Sequence, residues 1–153
     1  MKSFFLAFTL LVSFQISAQQ LYNPSADAAQ DIDNAILKAQ QENKYVILQV
    51  GGNWCKWCIL FDKFINENSK IKEYKDQKFV YYHLNYSKEN KNEKLLKYFD
   101  NPNRFGFPVL LVLNDNCELI HTQDTSYLEN GDGYSEDKVL SFFENWSKDN
   151  FVE

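Results

Sequence analysis

The stretch from Tyr45 to Ile65 constrains the chain most. Tyr45-Val46-Ile47-Leu48-Gln49-Val50 is a near-continuous apolar run, the pattern of a strand buried on both faces. Gly51-Gly52-Asn53 breaks it, and Trp54-Cys55-Lys56-Trp57-Cys58 follows at once. From Cys55 to about residue 66 a helix is predicted, with Leu60, Phe61, Phe64 and Ile65 on one face. Two cysteines three residues apart therefore fall at the junction of a buried strand and a helix. There the free N–H groups and dipole of the helix favour thiolate over thiol, and Lys56 adds positive charge. The second sulfur lies one turn further in and can attack the first. This geometry suits thiol–disulfide exchange through a mixed disulfide. Cys55 is read as the exposed nucleophile and Cys58 as the resolving thiol.

Other chemistries for the pair are weaker. Haem attachment needs His after the second Cys, and Ile59 stands there. A structural zinc site needs about four ligands, and beyond the pair only Cys117, His83 and His121 remain. An inert disulfide stays open, although closing so small a loop removes little chain entropy.

The flanking sequence sets the framework. A helix is predicted over residues 25–43, with Ala28, Ile32, Ala35, Ile36 and Ala39 at helical spacing and a capping box from Asp27 and Gln30. A short helix over 69–76 precedes a strand over 79–84, and a helix over 92–99 carries Leu95, Leu96 and Phe99. Pro108 opens a strand over 109–113, and the turn Asn114-Asp115-Asn116 leads to a hairpin strand over 118–121. Cys117 is read as a packed free thiol beginning that strand, and His83 and His121 as structural. Residues 122–134 read as a polar, solvated loop without calcium-ligand spacing. Ser135 caps a last helix to about residue 150, burying Val139, Leu140, Phe142, Phe143 and Trp146. Alternation followed by a hairpin implies an α/β fold with a central mixed sheet and helices on both faces.

The chain has 153 residues, 44% hydrophobic and 24% charged, which fits one globular domain. Its net charge of −5, without a basic run, argues against nucleic-acid binding. Residues 1–18 stand apart. Lys2, the apolar stretch Phe4–Val12 and the exit Ile16-Ser17-Ala18 have the form of a secretory leader, leaving one domain over 19–153. The expected location is periplasmic or secreted, with no stable membrane insertion after cleavage, in a compartment that permits disulfides.

The sequence resembles the thioredoxin family over about residues 30–148. The resemblance rests on the strand Val46–Val50, the Trp54–Cys58 motif, Gly106-Phe107-Pro108 before a strand, the hairpin and the last helix. More narrowly, it is similar to exported bacterial thioredoxin-like proteins with an extra helix before the first core strand. The resemblance implies a thioredoxin-like fold, a cis peptide before Pro108, and Phe107 backbone groups offered to an extended substrate segment. Trp54 and Trp57 would form an apolar rim beside Lys56, with Trp54 partly buried and Trp57 more exposed. Two departures stand out. Gln49 occupies the place of the family's buried carboxylate, so the proton acceptor for Cys58 is open among Lys56, Asp62 and water. Lys56-Trp57 matches neither the reducing nor the oxidising dipeptides, so the direction of electron flow does not carry over. The expected partners are protein thiols and disulfides and a membrane redox protein. A monomer is expected, and no organic cofactor is implied. The rival is a non-catalytic module of the same fold that holds a partner protein or a soft metal such as Cu(I).

Overall fold

The computed structural model describes residues 20–151. The leader expected over 1–18 lies outside them. Helix α1 (Ala28–Glu42) leads into β1 (Tyr45–Gly51), α2 (Lys56–Glu67), α3 (Ser69–Lys78), β2 (Phe79–Asn85) and α4 (Glu93–Tyr98). Then come β3 (Val109–Leu113), β4 (Leu119–Asp124), the two-residue strands β5 (Glu129–Asn130) and β6 (Gly133–Tyr134), and α5 (Glu136–Trp146). The main sheet has the order β2-β1-β3-β4. β1 runs parallel to β2 and antiparallel to β3, and β3 is antiparallel to β4. This is the mixed sheet expected from the element order, with the extra helix α1 before its first strand.

Central position explains the composition of β1, whose seven residues are all buried. Strand alternation sends its side chains to two cores. Val46, Leu48 and Val50 meet Ile32, Ala35 and Ile36 of α1 together with Leu96 and Phe99. Tyr45 and Ile47 meet Phe61 and Ile65 of α2, Ile71 of α3, and Val139 and Phe143 of α5. Gln49 and Gly51 share the strand parity of Tyr45 and Ile47, so they lie beneath α2, beside the cysteine pair.

The capping box of α1 forms by half. Asp27 accepts the backbone N–H of Gln30 at 3.2 Å, while the Gln30 amide turns to Asn34. Asn68 joins two helices: its Oδ1 caps α3 at the N–H of Ile71 (3.1 Å), and its Nδ2 donates to Glu136 of α5 (2.7 Å). Asn68→Ala is expected to cost about 1 kcal/mol. The urea midpoint should fall with no change in slope.

Three sequence expectations are corrected. α5 ends at Trp146, and a 3-10 turn (Lys148–Asn150) follows. Residues 122–134 are not a solvated loop. β4 extends to Asp124, and Thr125, Leu128 and Tyr134 are buried. Scattered apolar residues without periodicity concealed this. Tyr134 closes on Phe61 at 4.8 Å between ring centroids, and Thr125 Oγ1 donates to the Pro108 carbonyl at 2.6 Å. Cys117 does not begin a strand. It sits in the turn before β4 with φ 63°, half-buried against the α1 core.

Candidate active site

Cys55 is the N-cap of α2, in extended conformation, and its Sγ accepts the backbone N–H of Cys58 at 3.1 Å. The two sulfurs are joined in a disulfide, with the Cα atoms 5.2 Å apart. The sequence reading made Cys55 exposed, and the structure corrects it: Cys55 is 5% exposed and Cys58 0%. The difference between them survives. Cys55 sits at the mouth of the site and Cys58 is closed off behind it.

Aromatic side chains form the mouth. Trp54 is 59% exposed. Its indole N–H donates to the Tyr86 carbonyl (2.7 Å), and it meets the Phe107 ring edge-on at 5.5 Å. Phe107 stacks on Tyr86 at 4.8 Å and packs against the cysteine pair. The peptide between Phe107 and buried Pro108 is cis. Lys56 is exposed. Trp57 is half-buried, its ring edge-on to Tyr134 at 5.6 Å. The expected order of exposure of the two tryptophans is therefore reversed. Trp57, inside the first turn of α2, is pulled onto Tyr134, the residue hidden in the misread loop. Trp54 precedes the helix and lies over the surface. Beside it opens a hollow of about 580 Å³ between Pro24, Asn53, Tyr86 and Ser87.

The back of the site is built by Gln49, which the sequence reading singled out, and by Tyr22, Asn53 and Tyr81, which it missed. Tyr22 is fully buried and packs with Cys55 and Cys58. Asn53 holds it in place by accepting the Tyr22 N–H (3.0 Å) and donating to the Tyr22 carbonyl (2.7 Å). Gln49, also fully buried, donates from Nε2 to the Tyr22 hydroxyl (2.6 Å) and the Cys58 carbonyl (3.1 Å). Its Oε1 accepts from the Tyr81 hydroxyl (2.7 Å). Burial pushes the phenols of Tyr22 and Tyr81 well above their usual range, so both stay protonated. Nothing in the irregular segment around Tyr22 marks it. Its partners lie 27 and 31 residues away.

The other candidates are placed as follows. Asp62 pairs with His83 Nε2 at 2.9 Å, and His83 meets the Tyr22 ring edge-on at 5.4 Å. Lys56 is not among the groups behind Cys58. His121 bonds to Gln123 and stacks on Trp146 at 3.9 Å, and burial lowers its pKa. Burial pushes the Cys117 thiol up. Among the described residues no three His, Cys, Asp or Glu side chains gather as a metal site.

A family profile described as thioredoxin-like matches residues 27–115, from the N-cap of α1 to the turn after β3. No curated protein matches the chain. Among solved structures, a disulphide isomerase from Xylella fastidiosa Temecula1 is similar at 24% identity and TM-score 0.71, over 81% of this chain and 94% of that one. The C-terminal domain of DsbD from Neisseria meningitidis is similar in its oxidised form at 16% identity and TM-score 0.58, over 79% of this chain and 97% of that one. Its reduced form gives 17% and 0.59 over the same shares. At these identities the likeness is one of fold.

Proposed function

The chain belongs to the thioredoxin-like family, and on that premise we propose that it is an exported thiol–disulfide oxidoreductase exchanging disulfides with protein substrates. The observation that carries this is the Cys55–Cys58 disulfide at the start of α2, with the Cys58 N–H on the Cys55 sulfur. A donor already aimed at Cys55 stabilises the thiolate that forms when the bond opens. The small difference in burial, 5% against 0%, supports this order of events. Cys55 meets the substrate sulfur, and Cys58 resolves the mixed disulfide from within.

Trp54, Lys56, Trp57, Phe107 and Pro108 are the proposed substrate contacts. The hollow beside Trp54 continues the mouth, with Trp54, Tyr86 and Pro24 on its wall and Lys88, Glu89 and Lys91 at its edge, a mixed surface that suits an extended polypeptide segment. Export rests on residues 1–18. Among the described residues no helix is long and apolar enough to cross a membrane. A membrane redox protein would restore the working oxidation state.

The test is a redox titration of protein secreted by an exporting host, its mature N-terminus read by mass spectrometry. The pair should exchange reversibly in a graded thiol–disulfide buffer, and the protein should reduce insulin when dithiothreitol is supplied. A potential near about −270 mV marks a reductase needing an electron supply, and one near about −120 mV an oxidant. A pair locked in one state across the buffer defeats the catalytic reading in favour of a binding module.

A further inference from the structure

A buried resolving cysteine faces a physical difficulty in this fold. To attack, Cys58 must become a thiolate, and a thiolate without exposure loses the solvation that would sustain it. The N–H of Cys58 does not supply the need, because it is directed at Cys55 Sγ. Among the described residues no hydrogen bond ends on Cys58 Sγ. The buried carboxylate expected beneath the pair is replaced by Gln49, which cannot take up the proton.

The Gln49 amide has only one orientation that suits its neighbours. The Cys58 carbonyl can only accept, so the amide nitrogen must face it. The same nitrogen then donates to the Tyr22 hydroxyl oxygen, and the amide oxygen accepts from Tyr81. Tyr22 thus receives a hydrogen bond from Gln49 and keeps its own O–H free to point elsewhere. Gly51 shows where it can point. A Cβ placed on Gly51 would lie 2.5 Å from Cys58 Sγ and 2.8 Å from Tyr22 Oη. The sulfur and the hydroxyl therefore both border the space left by the missing side chain.

We propose that the Tyr22 hydroxyl is the hydrogen-bond donor that stabilises the Cys58 thiolate, making Tyr22 a positioning residue for the resolving step. The proposal rests on the oxidoreductase reading and deepens it. When the protein reduces a substrate, the Cys55 thiolate attacks the substrate disulfide, forming the mixed disulfide and releasing one substrate thiolate. Cys58 gives up its proton, which ends on that released thiolate. The Cys58 thiolate then attacks Cys55 Sγ, and the second substrate thiolate leaves. Two electrons pass from the dithiol to the substrate disulfide, and the internal disulfide is restored. Tyr22 donates its hydrogen bond to the Cys58 thiolate once that forms and keeps its proton. Its burial, which raises its pKa, is what prevents it from giving the proton away. The titratable groups around it are Asp62 of α2, Tyr81 and His83 of β2, and Tyr134 of β6.

The experiment compares the secreted full-length mature protein with its Tyr22→Phe variant, which keeps the ring and removes the hydroxyl. Reduced Cys58 is titrated through its 13Cβ resonance, in the Cys55→Ser background to isolate it. A hydrogen bond to a charged group is worth about a ten-fold change in an equilibrium constant or more. Tyr22→Phe should lower the Cys58 acid dissociation constant by about ten-fold. Insulin reduction at pH 7 should slow by a similar factor, with the two rates converging as pH rises past the Cys58 titration. A variant that merely loosens the fold would stay slow at every pH. Unchanged Cys58 titration overturns the proposal. Should the variant fail to fold, the 13Cζ resonance of Tyr22 in the tyrosine-containing protein takes its place. It must shift as Cys58 titrates, and a resonance indifferent to that titration overturns the proposal equally. Loss of the oxidoreductase reading is distinguishable, since the titration needs no turnover and a protein inactive on insulin would still report it.

Discussion

Cys55→Ser is expected to lower insulin reduction by about a thousand-fold or more, because no other group can open the substrate disulfide. Cys58 is sealed behind Gly51 and Tyr22, and Cys117 lies in the turn before β4 on the α1 side of the sheet. Cys58→Ser should behave differently. It keeps the sulfur at the mouth and loses the one that resolves. The variant should still attack substrate disulfides once and then stall as a mixed disulfide. On a non-reducing gel the stalled species appears as a slower band that dithiothreitol removes. Equal activity loss without any trapped species would reject the assigned order. Trapping by Cys55→Ser instead would reverse it.

Gly51→Ala is expected to destabilise the protein by about 2–3 kcal/mol, read as a lower urea midpoint. The backbone at Gly51 belongs to β1 and would accept alanine. Space is what forbids it, since the new Cβ would fall 2.5 Å from Cys58 Sγ and 2.8 Å from Tyr22 Oη. Neither atom can withdraw at low cost. The sulfur is held by the disulfide and by α2. The phenol is held by Gln49 and, through its backbone, by Asn53. Gly133→Ala is the control. A Cβ there has nothing within 4 Å and no positive φ to oppose it, so stability should change by no more than about 0.5 kcal/mol. A Gly51→Ala midpoint equal to that of the control would show that the site yields more easily than its hydrogen bonds imply.

The parts legible in the sequence were those written in consecutive residues. β1 announces itself because a central strand is buried on both faces and needs apolar residues at nearly every position. Gly51-Gly52-Asn53 and the motif after it mark the strand-to-helix junction, whereas the cis peptide before Pro108 came only with the family resemblance. The loop over 122–134 was misread because Thr125, Leu128 and Tyr134 are separated by polar residues at no regular interval. Tyr134, a residue of that loop, also meets Trp57 edge-on, and Trp57 packs against the cysteine pair as well, which is why it is half-buried.

The sequence by itself determined the fold class, the order of its elements, and the placing of two sulfurs at the start of a helix. These follow from local periodicity and from the geometry of a helix terminus, which neighbouring residues set together. The tertiary structure alone decided what surrounds the sulfurs. It brought Tyr22 from an irregular segment to the back of Cys58, and it joined Gln49 to Tyr22 and Tyr81. It also left Trp54 at the surface while drawing Trp57 inward. Such contacts join residues far apart in the chain, and each depends on the space and the unpaired polar groups its partner leaves. Gln49 read alone is a missing acid, and only the packed core makes it the support of a phenol.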